Sequence, residues 1–131
     1  MATKYFFNVS NHPSSNWSKE QLDAVNDAVI EDLSFPFIRA NGTTDEIVNQ
    51  ARCLVDAIIS GGHEHDTDNS IAMVQGEMTF TYALVHEFQK RGVTCVAACS
   101  DRIVEEVVNP DGSTSKKSTF KFVQFREYPT F

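Results

Sequence analysis

The stretch Ile71–Arg102, IAMVQGEMTFTYALVHEFQKRGVTCVAACSDR, constrains the fold more than any other part of the chain. An apolar block of strand length comes first. A glycine-containing turn, an amphipathic helical repeat, a glycine stop and a second apolar block follow. Phe80, Leu84 and Phe88 make one helical stripe with Tyr82 and Val85 beside it, and Gly92 stands where a helix end favours glycine. This is the pattern of a βαβ unit. In such units a ligand sits outside the carboxyl ends of the strands. Those ends carry Gln75, Gly76, Glu77, Met78 and Thr79 after one strand, and Ser100, Asp101 and Arg102 after the other. Function is sought at that edge.

The flanking sequence extends the pattern. Lys4–Ser10 is aromatic and β-branched and reads as a first strand, and Ala28–Leu33 as a second, stopped before Pro36. Ser18 with Gln21 and Thr43 with Glu46 have capping-box spacing, so helices are expected to start at Lys19 and just after Thr43. The second helix repeats Ile47, Val48, Ala51, Leu54, Val55, Ile58 and Ile59 at helical intervals until Gly61 and Gly62. Strand three is Ile71–Gln75 and strand four Val93–Cys99. Two further strand-like runs, Ile103–Asn109 and Thr119–Tyr128, surround Pro110-Asp111-Gly112 and read as a long hairpin. The order predicts an α/β fold: a Rossmann-like, mostly parallel sheet flanked by helices, with a C-terminal antiparallel β-hairpin. With 131 residues and neither an internal repeat nor a linker, residues 1–131 read as a single domain.

Charge and composition narrow the function. A net charge of −7 argues against long nucleic acid as a partner, since that needs a basic footprint. It leaves room for a compact phosphate held by backbone N–H groups and an arginine. No apolar run approaches the roughly 18–20 residues of a membrane span, and the start MATKYFFNVS has too short an apolar block for a signal peptide. Cys53, Cys95 and Cys99 are odd in number and lack zinc-type spacing. They read as reduced core thiols of a cytoplasmic protein.

Several segments carry candidate chemistry. In QGEMT, Gly76 allows close approach of the backbone, and the following helix start offers N–H groups and a positive dipole end to phosphate. Glu77 would repel that phosphate, cap the helix, or accept from a ribose or base. An ordinary strand-to-helix turn needing glycine is the plainer alternative. There is no GxGxxG and no GxxxxGK[ST], so dinucleotide and P-loop readings fail. NVSNHPSSN, after strand one, falls on the same edge. Asn8, Ser10, Asn11, Ser14 and Ser15 offer hydrogen bonds, and His12 an acid, base or phosphate donor, unless this is simply a surface loop. Ser100-Asp101-Arg102 supplies a guanidinium suited to phosphate, or a salt bridge with Asp101 or Glu105. His63–Asp68 pairs two histidines with acids, a set able to hold a divalent metal. Its place at the opposite edge favours a polar loop, and no metal is expected. Phe120–Tyr128, FKFVQFREY, alternates aromatics and bases: a half-buried strand or dimer surface, with base stacking the sharper alternative. No Ser-His-Asp or Cys-His nucleophile pattern is visible.

Together NVSNHP, VQGEMTFTYALV, GVTCVAACSDR and FKFVQFREY resemble small stand-alone CRISPR-associated proteins related to CARF-type Rossmann-like domains, some of which act as ring nucleases. The resemblance covers nearly the whole chain and is weakest between Phe35 and Ser70. It implies binding of a cyclic oligoadenylate second messenger, with cyclic tetra-adenylate the first expectation, across a homodimer. It also implies cleavage without metal or cofactor, by attack of a ribose 2′-OH on the adjacent phosphate, ending type III CRISPR signalling. Carried onto this chain, Gly76 and the N–H groups of Glu77 and Met78 would cradle phosphate, with Thr79 donating to it. Ser10, Asn11 and His12 would line the ribose-phosphate, His12 moving the proton. Arg102 would neutralise charge and Ser100 orient it. Catalysis is thus expected of His12, Arg102 and Ser10, and ligand binding of Asn8, Asn11, Ser14, Gln75, Gly76, Glu77, Met78, Thr79 and Ser100. A non-cleaving sensor of the same ligand, and a small phosphate-binding α/β protein outside CRISPR biology, remain as alternatives.

Overall fold

The computed structural model describes residues 4–62 and 69–131. The elements are β1 (Tyr5–Ser10), a 3-10 turn (Ser14–Asn16), α1 (Lys19–Ala24), β2 (Val29–Ser34), α2 (Thr44–Ser60), β3 (Ile71–Val74), α3 (Met78–Lys90), β4 (Thr94–Val108) and β5 (Thr114–Glu127). Local chemistry sets the helix starts. The Ser18 hydroxyl accepts from the Gln21 N–H, and the Thr43 hydroxyl from the Glu46 N–H. Gly92, at φ 83°, ends α3 in the left-handed region.

One five-stranded sheet runs in the order β2-β1-β3-β4-β5. The first four strands are parallel and β5 returns antiparallel to β4. This is the expected α/β architecture. The chain leaves β1 towards β2 on one side and later returns to place β3 on the other, so the strand order reverses between β1 and β3. At such a switch point the loops diverge and leave a crevice. Strand alternation divides the sheet into two faces. Phe7, Val9, Ala72, Val74 and Cys95 pack against α2 and α3. Phe6, Met73, Val96 and Phe125 pack against Trp17 and Val25, on the α1 side.

Three features differ from expectation. The run Ile103–Asn109 is not a separate strand, because β4 continues without a break to Val108. Ser100-Asp101-Arg102 is therefore not a loop closing strand four but the point where a hairpin leaves the sheet. A bulge marks the exit: Cys99 pairs with Gln124 but Ser100 with Phe122. Beyond it both strands are largely exposed, with Asp101 opposite Lys121, Glu105 opposite Lys117 and Glu106 opposite Lys116. Opposite charges facing each other across strands favour that register. Tyr82, expected beside the core stripe, is exposed, as is Met78. Cys53 is also exposed, and of the predicted core thiols Cys95 is buried and Cys99 half-buried. Burial pushes the Cys95 thiol up to about 12, so it stays protonated. The segment His63–Asp68 lies outside the described residues. Among the described residues no helix is long and apolar enough to cross a membrane.

Candidate functional site

The carboxyl edge of the sheet does gather the predicted polar segments, but it treats them in two ways. The β3–α3 turn is closed upon itself. Glu77 is the N-cap of α3, and its carboxylate accepts from the N–H groups of Thr79 (3.1 Å) and Phe80 (2.8 Å). The Thr79 hydroxyl lies 2.7 Å from both carboxylate oxygens. The Phe80 N–H, then Thr79, hold the Glu77 carboxyl below its ordinary 4.5, so it remains ionised. The helix start thus already holds an anion, supplied by the chain. Thr79 has its donor engaged by Glu77, which corrects its expected role towards phosphate.

Gly76 has a packing explanation. A Cβ there would come within 2.4 Å of the Phe35 ring. Phe35 itself stands edge-on to Phe80, with centroids 5.4 Å apart. The glycine makes room for this aromatic pair, so a ligand is not needed to account for it.

The loop after β1 is built on a buried network. Asn8, 1% exposed, donates from Nδ2 to the His12 carbonyl and to Asp32 Oδ1, each at 2.8 Å. Ser10 donates to Asn8 Oδ1 at 2.6 Å and accepts from the His12 N–H at 3.1 Å. Asp32 also accepts from the Ser14 N–H (2.9 Å) and hydroxyl (2.7 Å). Burial opposes the charge on Asp32, but these bonds from Asn8 and Ser14 outweigh it and hold the carboxyl below 3.8. Trp17 Nε1 donates to the same His12 carbonyl at 2.9 Å. Asn8, Ser10 and Ser14 therefore position the loop, and a direct catalytic role for Ser10 does not fit its buried, committed hydroxyl. Asn11 is exposed beside this network.

What the network positions is His12. On the α1 side lies a cavity of about 600 Å³ lined by His12, Asn16, Trp17, Ser18, Gln21, Met73, Gln75, Ala98, Ser100, Phe120 and Phe122. That is within the size range of small-molecule sites. Gln75 reaches it because it continues the Ile71–Met73 side of β3, and its Oε1 accepts from the Ala98 N–H at 2.8 Å. The His12 imidazole, the Gln75 Nε2 and the Ser100 hydroxyl have no hydrogen-bond partner among the described residues. These are the groups a ligand would meet. Arg102 stands one pair further along the same face of the hairpin. Its Nε and Nη2 donate to Ser118 Oγ at 3.3 and 3.1 Å, leaving its Nη1 side uncommitted among the described residues.

Two larger grooves, of about 1010 and 930 Å³, flank the exposed face of α3 and share Met78, Tyr82 and His86. Gly76 lines the first and Glu77 and Thr79 the second, so the predicted residues do not converge on one cavity. Gln75 touches both the first groove and the α1-side cavity. The smaller cavity is the better candidate, since the polar groups of Glu77 and Thr79 are satisfied by each other. Sequence reasoning missed Asp32, Trp17 and Phe35. Asp32 becomes visible once β1 and β2 are paired, because it stands directly opposite Asn8.

Residues 4–126 match the model of the family described as the Uncharacterized protein MJ1673 family. No curated protein and no solved structure matches the chain.

Proposed function

This chain belongs to the uncharacterized protein MJ1673 family, and we propose that it binds a cyclic oligoadenylate in the α1-side cavity and opens the ring. The observation that carries the reading is the meeting of three polar groups with no hydrogen-bond partner among the described residues, the His12 imidazole, the Gln75 Nε2 and the Ser100 hydroxyl, with an aromatic wall at the switch point of the sheet. The motif resemblance supplies the ligand class. Cyclic tetra-adenylate is the first candidate, a homodimer the state that matches a two-fold ligand, and the cytoplasm the compartment of such signalling.

The chemistry asks little of the protein. The ribose 2′-oxygen attacks the adjacent phosphorus, the P–O5′ bond breaks, and a 2′,3′-cyclic phosphate remains at the new end. The 2′-hydroxyl gives up its proton and the departing 5′-oxygen gains one. His12 would handle this proton traffic: its main chain is held by Asn8, Ser10 and Trp17, and its ring has no hydrogen-bond partner among the described residues. Ser100 and Gln75 orient the ribose-phosphate, and Arg102 offsets the developing charge. The Glu77 carboxylate at the neighbouring helix start keeps phosphate away from α3 and towards the α1 side.

Incubation of the purified protein with radiolabelled cyclic tetra-adenylate in EDTA tests the reading. Linear products ending in 2′,3′-cyclic phosphate from wild type, and their loss in His12→Ala, support it. Intact ligand that still binds makes the protein a sensor. Neither binding nor cleavage removes tetra-adenylate and directs the test to other ring sizes.

A further inference from the structure

We infer that Phe120 and Phe122 of β5, with Trp17 in the cavity lining, form a nucleobase-stacking wall, and that the projecting hairpin is part of the ligand site. The inference rests on the reading of the cavity as a nucleotide site and adds which part of the nucleotide sits where.

The register places these rings. Phe122 pairs with Ser100 and Phe120 with Arg102, so all four side chains leave the same face of the hairpin. The aromatic series starts in the core. Phe125 packs against Phe6 at 5.0 Å and Trp17 at 6.2 Å, and Phe122 packs against Phe125 at 4.9 Å. Phe120 comes next along the strand. It is 72% exposed and has no ring partner among the described residues. The series is anchored at one end and open at the other, above the cavity.

The neighbouring polar groups say what would close it. An aliphatic ligand would cover Phe120 but leave the His12 ring, the Gln75 Nε2 and the Ser100 hydroxyl unmet. A bare phosphate would do the reverse. A nucleobase has a π-face for the rings and an acceptor-bearing edge for the Gln75 donors. Arg102, across from Phe120, lies where the phosphate of the same nucleotide would reach. The bulge at Cys99/Ser100 then has a use, since it re-aims the hairpin at the point where it meets the cavity.

Trp17 is the single tryptophan, so its emission reports occupancy of this wall. Wild type and Phe120→Ala would be titrated with cyclic tetra-adenylate, adenosine 5′-monophosphate and, as a base-free probe, ribose 5-phosphate. Wild type is expected to bind both adenine ligands more tightly than ribose 5-phosphate. Phe120→Ala is expected to weaken the adenine ligands by about fivefold or more, leave ribose 5-phosphate unchanged and keep the wild-type melting temperature. Phe120→Tyr should restore binding. Equal adenine affinity in Phe120→Ala, equal binding of ribose 5-phosphate by wild type, or no nucleotide binding at all overturns the stacking wall. Cleavage of cyclic tetra-adenylate by Phe120→Ala with unchanged affinity would leave the ring-nuclease reading standing without it. Phe120-dependent binding of adenosine 5′-monophosphate, with cyclic tetra-adenylate unbound, would do the opposite.

Discussion

The β3–α3 turn and the β1–α1 loop lie side by side at the carboxyl edge and carry similar polar residues, yet they stand in opposite conditions. In the turn, Glu77 and Thr79 satisfy each other and the helix start, and Phe35 covers Gly76. In the loop, Asn8, Ser10, Ser14 and Asp32 are equally committed, but their commitment leaves His12 lining a cavity, with no hydrogen-bond partner for its ring among the described residues. A polar cluster is a ligand site only to the extent that its hydrogen-bonding capacity is left over from folding.

The sharpest way to break this contrast is to remove one group from each side. His12→Ala should reduce ring opening by roughly 100-fold or more with an unchanged melting temperature. Thr79→Val should lower stability and leave the cleavage rate of the folded protein near wild type. If Thr79→Val abolishes turnover in a fully folded sample, the turn is the site after all.

Stability variants come next. Gly76→Ala forces a methyl into the Phe35 ring, an overpacking cost of about 1–3 kcal/mol that should appear as a lower urea midpoint. A variant with normal stability but lost ligand binding would restore Gly76 to a phosphate role. Asn8→Ala leaves the His12 carbonyl and Asp32 short of a donor, a buried loss of about 1–3 kcal/mol. It should also weaken ligand binding through the loosened loop, an effect that Thr79→Val lacks.

The smallest effect is expected in acid. The folded-state values of Glu77 and Asp32 are both depressed, so their contributions are complete above the ordinary 4.5 and 3.8 and are lost as pH falls through the lower folded values. The wild-type melting temperature should therefore decline as pH drops below about 4. Glu77→Gln and Asp32→Asn should each start lower at neutral pH and decline less steeply. An unchanged slope in Asp32→Asn would mean that the Asn8–Asp32–Ser14 network does not carry that charge.

Much of the fold was legible because its signals are local. The Ser18 and Thr43 caps, the stripe Phe80-Leu84-Phe88 and the apolar blocks of β1 and β3 follow from side chains within a few residues of one another. The carboxyl edge was legible for the same reason, since strand–helix order places the loops. The continuity of β4 was not, because polar Ser100-Asp101-Arg102 imitates a loop until β5 pairs with it. Hydropathy reads burial, and the hairpin is a strand held by cross-strand bonds rather than by burial.

By itself, then, the sequence determined the α/β architecture and the edge where its polar loops gather, since periodicity and capping act along the chain. Tertiary structure alone decided which polar groups remain available. Glu77 turning back on its own helix, Phe35 lying on Gly76, Asp32 meeting Asn8 across a strand pair and Phe120 facing the Ser100 side all depend on contacts between distant segments. Hydrogen-bond capacity is allotted only when those segments meet.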